Sequence, residues 1–231
     1  MIVSVHMISI CLPTRGRPES FKRFCQSVLD NASHKDDIEF VVYRDNDDNS
    51  PYEYVGNYTE VRGERIILSA MWNECQKVAA GPIYMFAIDD IVFYTKGWDE
   101  LVMQAFLKSD DKIMCVHPDD GNLRFGSRYG IVFFLHKNWV DTVGYLVPPY
   151  FRAECCDNWI NDTAIDLGRK YFLREMVVKH FEDENQNDET HKSYTTHVRT
   201  AHAIYRLKTP ERKEDVRKLE AFIRDFKHKS V

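Results

Sequence analysis

Two adjacent carboxylates, Asp89 and Asp90, follow directly on the apolar run Ile83–Ile88. Such a run reads as a buried strand, which puts both acids at its C-terminal end, where open α/β sheets bind ligands. Neighbouring acids repel each other unless a cation or hydrogen-bond donors compensate them. A hard divalent ion bridging carboxylate and diphosphate is the simplest compensation, and a solvated turn after a strand is the alternative.

The elements that must position these acids alternate between apolar and amphipathic segments, the pattern of an α/β domain. Ile8–Leu12 is a short apolar run, expected as a buried strand, and it ends in the loop Pro13-Thr14-Arg15-Gly16-Arg17-Pro18. Pro18 suits the first position of a helix and Glu19 its first turn, with Phe21, Phe24, Cys25, Val28 and Leu29 on one face. Ile38–Tyr43 is a second strand, followed by the acidic loop Arg44-Asp45-Asn46-Asp47-Asp48-Asn49. Ser69 is expected to cap a helix that runs to about Ala80 and closes at Gly81-Pro82. After Asp90 a helix starts at Trp98, with Leu101, Val102, Ala105 and Phe106 at helical spacing. Further strands are expected at Ile113–His117, Ile131–Leu135 and Tyr171–Val178, and a helix near Asn158–Leu167. Gln186–Thr200 is polar and unpatterned, a loop or lid. The last helix opens at Thr209-Pro210-Glu211, spans about 209–228, and carries the stripe Val216, Leu219, Phe222, Ile223 and Phe226 as a docking surface.

Composition narrows the function classes. The chain has 231 residues, 44% of them hydrophobic, which is enough for one domain with a full core spanning 1–231. No apolar run approaches the roughly 20 residues of a membrane span, and no basic start precedes an apolar stretch. MIVSVHM is either a frayed first strand or a cloning remnant ahead of Met7. Acids outnumber bases 36 to 31, for a net charge of −5. That excludes a uniformly basic nucleic-acid footprint, although the stretch from Arg199 onward is locally rich in Lys and Arg. The six cysteines form no CxxC pair and several sit in apolar segments, so reduced buried thiols and a cytoplasmic location are expected.

The segments ISICLPTRGRPESF and LSAMWNECQKVAAGPIYMFAIDDIVFYTKGWDELV, taken in this order and spacing, resemble the GT-A fold, most closely the family-two-like glycosyltransferases. The resemblance covers roughly Ile8 to Thr190. It implies a single α/β domain with a Rossmann-like mixed sheet flanked by helices. It implies that Pro13 and Thr14 hold the nucleotide base, and that Arg15 and Arg17 reach base or phosphate. By the same resemblance Asp45 contacts base or ribose, and Arg65, Ser69 and Asn73 approach the donor from the next helix. Asp89 and Asp90 occupy the place of the family's Asp-x-Asp motif, although Ile88 and Ile91 stand where further acids are expected. This assigns the metal to Asp90 and a ribose or phosphate contact to Asp89. His180 stands where many such enzymes place a late histidine on the metal. Imidazole, carboxylate and diphosphate oxygens suit Mn2+, with Mg2+ tolerated. The run Glu154-Cys155-Cys156-Asp157 resembles the acidic catalytic segment, which makes Asp157 the expected base and Glu154 the second choice. A helix N-cap is the other explanation of Asp157.

The implied activity is metal-dependent transfer of a sugar from a nucleotide-sugar donor, expected to be a UDP-sugar, to an acceptor hydroxyl with inversion. Glycans, metabolites and hydroxymethylated DNA bases remain open as acceptors. The rivals are a nucleotidyltransferase, which would carry a more glycine-rich phosphate loop, and a non-catalytic nucleotide- or sugar-binding module. Donor binding is expected to draw His180, Asp188 and Thr190 inward with a closing segment Phe181–Thr200. The tryptophans Trp72, Trp98, Trp139 and Trp159 are expected in the core, and His191, His197 and His202 as loop decoration.

Overall fold

Successive residues of the first strand face opposite ways, and both faces are covered by apolar side chains. In β1 (Ile8–Pro13), Ile8, Ile10 and Leu12 enter one core and Cys11 the other. The same alternation recurs in β2 (Ile38–Asp45), where Ile38, Phe40 and Val42 oppose Val41 and Tyr43. It recurs again in β4 (Ile83–Phe86), where Ile83 and Met85 oppose Tyr84 and Phe86. With a period of two, a run that is apolar throughout must be covered on both sides. The computed structural model, which describes residues 7–121, 129–181 and 197–229, shows how.

The other strands are β3 (Asn57–Gly63), β5 (Ile91–Phe93), β6 (Cys115–Asp119), β7 (Phe133–His136) and β8 (Lys170–His180). They join one eight-stranded sheet in the order β3-β2-β1-β4-β7-β6-β8-β5. The half from β3 to β4 is parallel, while β7 runs antiparallel to both β4 and β6, and β5 antiparallel to β8. On one face lie α1 (Pro18–Asn31) and α3 (Trp98–Leu107). The other carries α2 (Leu68–Val78), α4 (Lys137–Val143), α5 (Cys156–Asp166), α6 (Val198–Leu207) and α7 (Thr209–Lys229). From β1 the chain leaves over α1 to β2 on one side, and it reaches β4 on the other side by way of α2 on the opposite face. That reversal opens a crevice at the C-terminal ends of β1 and β4.

The expected face of α1 is the buried one, residue for residue: Phe21, Phe24, Cys25, Val28 and Leu29. Four elements were not expected. They are the edge strand β3, the three-residue β5, the short α4, and α6, which claims Val198–Thr200 from the segment read as a loop. Ser69 is not the cap of α2: that position is Ile67, with no side-chain cap, and the first helical amide, Leu68 N–H, donates instead to Arg152 O at 2.9 Å. Trp98, Trp139 and Trp159 are core, as expected, and all six cysteines are free and buried. Among the described residues no helix is long and apolar enough to cross a membrane.

The last helix docks by polar anchors as well as by its stripe. Leu219 is fully buried, and Phe222 and Ile223 pack on the second core. One turn earlier, the buried Asp215 accepts hydrogen bonds from Trp159 Nε1 at 3.0 Å and from the Tyr145 hydroxyl. Arg212 pairs with Asp166 at 2.8 Å. Asp215→Ala strands two buried donors, so a loss of roughly 2–4 kcal/mol is expected in urea unfolding. A loss within error of zero would mean that water replaces the carboxylate there.

Candidate functional site

The crevice is a pocket of about 660 Å3 lined by Pro13, Thr14, Arg15, Arg17, Asp45, Arg65, Asp89 and Asp90, all of them singled out in the sequence. Ile66–Leu68, Met71, Trp72, Ile88, Arg152 and His197 complete it. Strand ends do the gathering. Thr14 leaves β1, Asp45 ends β2, and Asp89-Asp90 form the turn between β4 and β5.

The acids are held by named donors. The Thr14 hydroxyl donates to Asp89 Oδ2 at 2.7 Å, and Arg17 Nη1 to Asp89 Oδ1 at 3.2 Å, with Asp90 Oδ2 3.8 Å from the same nitrogen. Burial pushes the Asp89 carboxyl up to about 6; the Arg17 cation opposes that shift, and the Asp90 charge adds to it. Arg15 is held by Asp45 at 2.8 Å and by Asp47 at 2.5 and 3.0 Å. Asp45 Oδ1 is buried and has no hydrogen-bond partner among the described residues, while Arg65 Nε lies 4.0 Å from Oδ2. Burial raises the Asp45 carboxyl, and Arg15 works against it.

His180 reaches Asp90 through strand pairing. The register of β5 on β8 sets Ile91 opposite His180, and Phe181 N–H donates to Asp90 O at 2.8 Å. This leaves His180 Nε2 3.3 Å from Asp90 Oδ1. A carboxylate and an imidazole side by side suit a divalent first-row ion. Among the described residues no group of three or more His, Cys, Asp or Glu side chains is gathered as a metal cage. An ion held by this pair would take its remaining ligands from outside these side chains.

Five predicted residues are not part of the pocket lining: His180, which reaches it through Asp90, and Ser69, Asn73, Glu154 and Asp157. Ser69 is buried, and its hydroxyl has no hydrogen-bond partner among the described residues. Asn73 uses its side chain on the 144–155 connection, accepting from Leu146 N–H and Val147 N–H at 3.0 and 3.1 Å and donating to Val147 O at 2.9 Å. Glu154 lines a second cavity of about 240 Å3, which shares Ile67, Arg152 and His197 with the first. Asp157 lines neither cavity. It is half-buried in the first turn of α5, where Asn158 N–H donates to its Oδ1 at 2.8 Å. Burial raises its carboxyl to about 6, helped by the Glu154 charge. The N-cap of α5 is Cys155, with φ of 73°, not Asp157.

Arg152 is not singled out by the sequence, and His197, expected there as loop decoration, lines the pocket; each comes from a connection with no pattern of its own. Loop contact with the α2 N-terminus places the first, and the start of α6 the second. His202 lies within α6, not in a loop, with Nδ1 3.7 Å from Cys155 Sγ. Asp188, Thr190 and His191, with most of the expected closing segment, lie outside the described residues.

Solved structures share this architecture. The mannosyltransferase PcManGT of Pyrobaculum calidifontis, in complex with GDP-Man and Mn2+, matches 75% of the chain at a TM-score of 0.57 and 14% identity. TarS 1–349 of S. aureus in complex with UDP-GlcNAc matches 75% of the chain at 0.58 and 13% identity. The fold is GT-A-like. The chain spans 56% of the PcManGT chain and 58% of this TarS chain. No protein-family model matches the sequence, and comparison with curated proteins finds no relative.

Proposed function

We propose that this GT-A-like chain is a nucleotide-sugar-dependent glycosyltransferase that inverts the transferred sugar and uses a divalent metal. The observation that carries the reading is the 660 Å3 pocket at the sheet's switch point, where the Asp89-Asp90 turn meets Arg15, Arg17, Arg65 and Arg152. A nucleoside diphosphate needs that combination: cationic groups for phosphate and a polar wall for base and ribose. The likeness to proteins solved with GDP-Man and with UDP-GlcNAc supports the donor class.

In this reading Pro13 and Thr14 flank the base, and Asp45 Oδ1 accepts a hydrogen bond from a base N–H or a ribose hydroxyl. Arg17 and Asp89 brace each other beside the ribose or phosphates, with Arg65 and Arg152, which also line the pocket, reaching the diphosphate. Asp90 and His180 would hold the metal. A divalent ion there supplies positive charge against the diphosphate as it leaves. The acceptor oxygen bonds to the anomeric carbon as the carbon–phosphate-oxygen bond breaks, and the acceptor proton passes to a carboxylate. Asp157, in the first turn of α5 and outside both cavities, is the proposed base from the likeness of the 154–157 run to an acidic catalytic segment, and burial raises its carboxyl to about 6. Glu154 is the second reading, favoured by its place on the wall of the adjoining cavity.

A thermal-shift screen of UDP- and GDP-sugars with Mn2+ tests the proposal. At about 100 times Kd a ligand adds about 2.7 kcal/mol, worth roughly 5–10 °C for a domain of this size. Slow release of nucleoside diphosphate should accompany binding. Release of pyrophosphate would instead indicate a nucleotidyltransferase, and binding without turnover a non-catalytic module.

A further inference from the structure

The second cavity says more about the acceptor than the first does. It lies between the Ile67 entry to α2, residues Tyr150, Arg152, Ala153 and Glu154 of the 144–155 connection, and the first turns of α6. The atoms facing it are almost all carbon. Arg152 and Glu154 therefore meet the cavity mainly through their aliphatic stems. At about 240 Å3 it is smaller than the roughly 300–1,000 Å3 of pockets that hold drug-sized ligands. Tyr150 is the one Phe, Tyr or Trp ring lining it among the described residues, and it is backed from behind by Trp159 at 5.5 Å and Phe151 at 6.2 Å between ring centroids.

We propose that this cavity is the acceptor site and that it takes a single flat, hydroxyl-bearing aromatic ring rather than a sugar. The proposal rests on the glycosyltransferase reading for its direction: the shared residues Ile67, Arg152 and His197 are where the two cavities meet, so the ring's hydroxyl would face the donor. The choice of ring over sugar rests on the cavity alone. A pyranose carries hydroxyls around its whole edge, and each one buried against carbon loses its hydrogen bond to water without replacement. A flat ring covers the apolar walls and can meet Tyr150 in an edge-on or offset arrangement. Its one hydroxyl needs only one partner, and Arg152 and His197, which line both cavities, supply candidates at the junction.

The test uses the whole chain without nucleotide, with 4-nitrobenzyl alcohol and methyl glucoside as probes. Methyl signals of Ala201 and Ile204 are followed by NMR. The aromatic alcohol should shift both through its ring current, and methyl glucoside should shift neither. Shifts with the glucoside and none with the aromatic alcohol, or no response to either, would overturn the proposal. Ala201→Leu fills the cavity from α6 without touching the larger pocket, and it should weaken the aromatic probe by about tenfold or more. Unchanged affinity in a folded variant would place the probe elsewhere; if the variant does not fold, the parent's methyl shifts still decide. Since binding is read without donor, absence of any nucleotide-sugar turnover would count against the enzyme reading and leave the cavity result standing.

Discussion

Asp90→Asn is expected to abolish the Mn2+ dependence of nucleotide-sugar binding while the fold persists. Asp90 stands in the turn after β4, outside both apolar cores, so the amide is accommodated there without loss of packing. Loss of a mere supporting residue around a metal costs 10–100-fold in affinity, so loss of the carboxylate ligand itself should cost at least about 100-fold. His180→Ala should cost less, because Asp90 and the diphosphate oxygens remain. Calorimetric titration of Mn2+ in the presence of UDP separates the two variants. Equal Mn2+ affinity in Asp90→Asn and the parent would remove Asp90 from the metal site. The Ile91–His180 register would then serve the sheet alone.

Asp157→Asn is expected to leave donor affinity unchanged and to lower turnover by about 10²–10⁴-fold, the usual contribution of a general base. Glu154→Gln should cost less, and the reverse order would move the base to the wall of the smaller cavity. The pH dependence adds a second signature. With its carboxyl at about 6, Asp157 is protonated on the acid side and cannot accept a proton there, so kcat should fall as pH drops below that value. That limb should vanish in the asparagine variant. Stability should move the other way. The folded state holds this proton more tightly than the unfolded chain, whose carboxyl sits near 3.8, so stability declines as pH rises from about 4 through about 6. Asp157→Asn removes that decline. A variant with parental turnover but a lower melting temperature would make Asp157 a helix-start residue and nothing more.

What could be read from the sequence followed from how each residue is fixed. Strands covered on both faces are continuous apolar runs, and α1 declares its buried side through helical spacing, so the crevice and most of its charged lining were expected. β3 has little apolar content because it is an edge with most of its side chains toward solvent, and the three residues of β5 are too few to form a pattern. The start of α2 misled because a serine near a helix start suggests a cap, whereas the cap here is a carbonyl from Arg152, more than eighty positions away. The same contact brings Arg152 into the pocket. Asn73 shows the converse: a polar residue in the expected segment spends its hydrogen bonds on Leu146 and Val147. Contacts of that kind belong to the tertiary fold, and no local period announces them.

The β8 strand pairs with two partners in succession. Its first part lies on β6, with Pro118 opposite Leu173; the next β6 residue, Asp119, lies opposite Val177, and Val178–His180 then pair with β5. Residues 174–176 thus bulge out of the ladder, and the Thr95 hydroxyl ties the bulge down by donating to Glu175 O and accepting from Val177 N–H. Side chains alternate along a strand, so the number of residues in this bulge sets which way His180 points. Arg174, Glu175 and Val177 are exposed, and their identities are free to drift. Their count is not. Across descendants of this chain, Arg174, Glu175 and Val177 should accept many substitutions, the buried Met176 only apolar ones, while insertions and deletions of one residue are purged, because the segment acts as a spacer that keeps His180 in phase with Asp90.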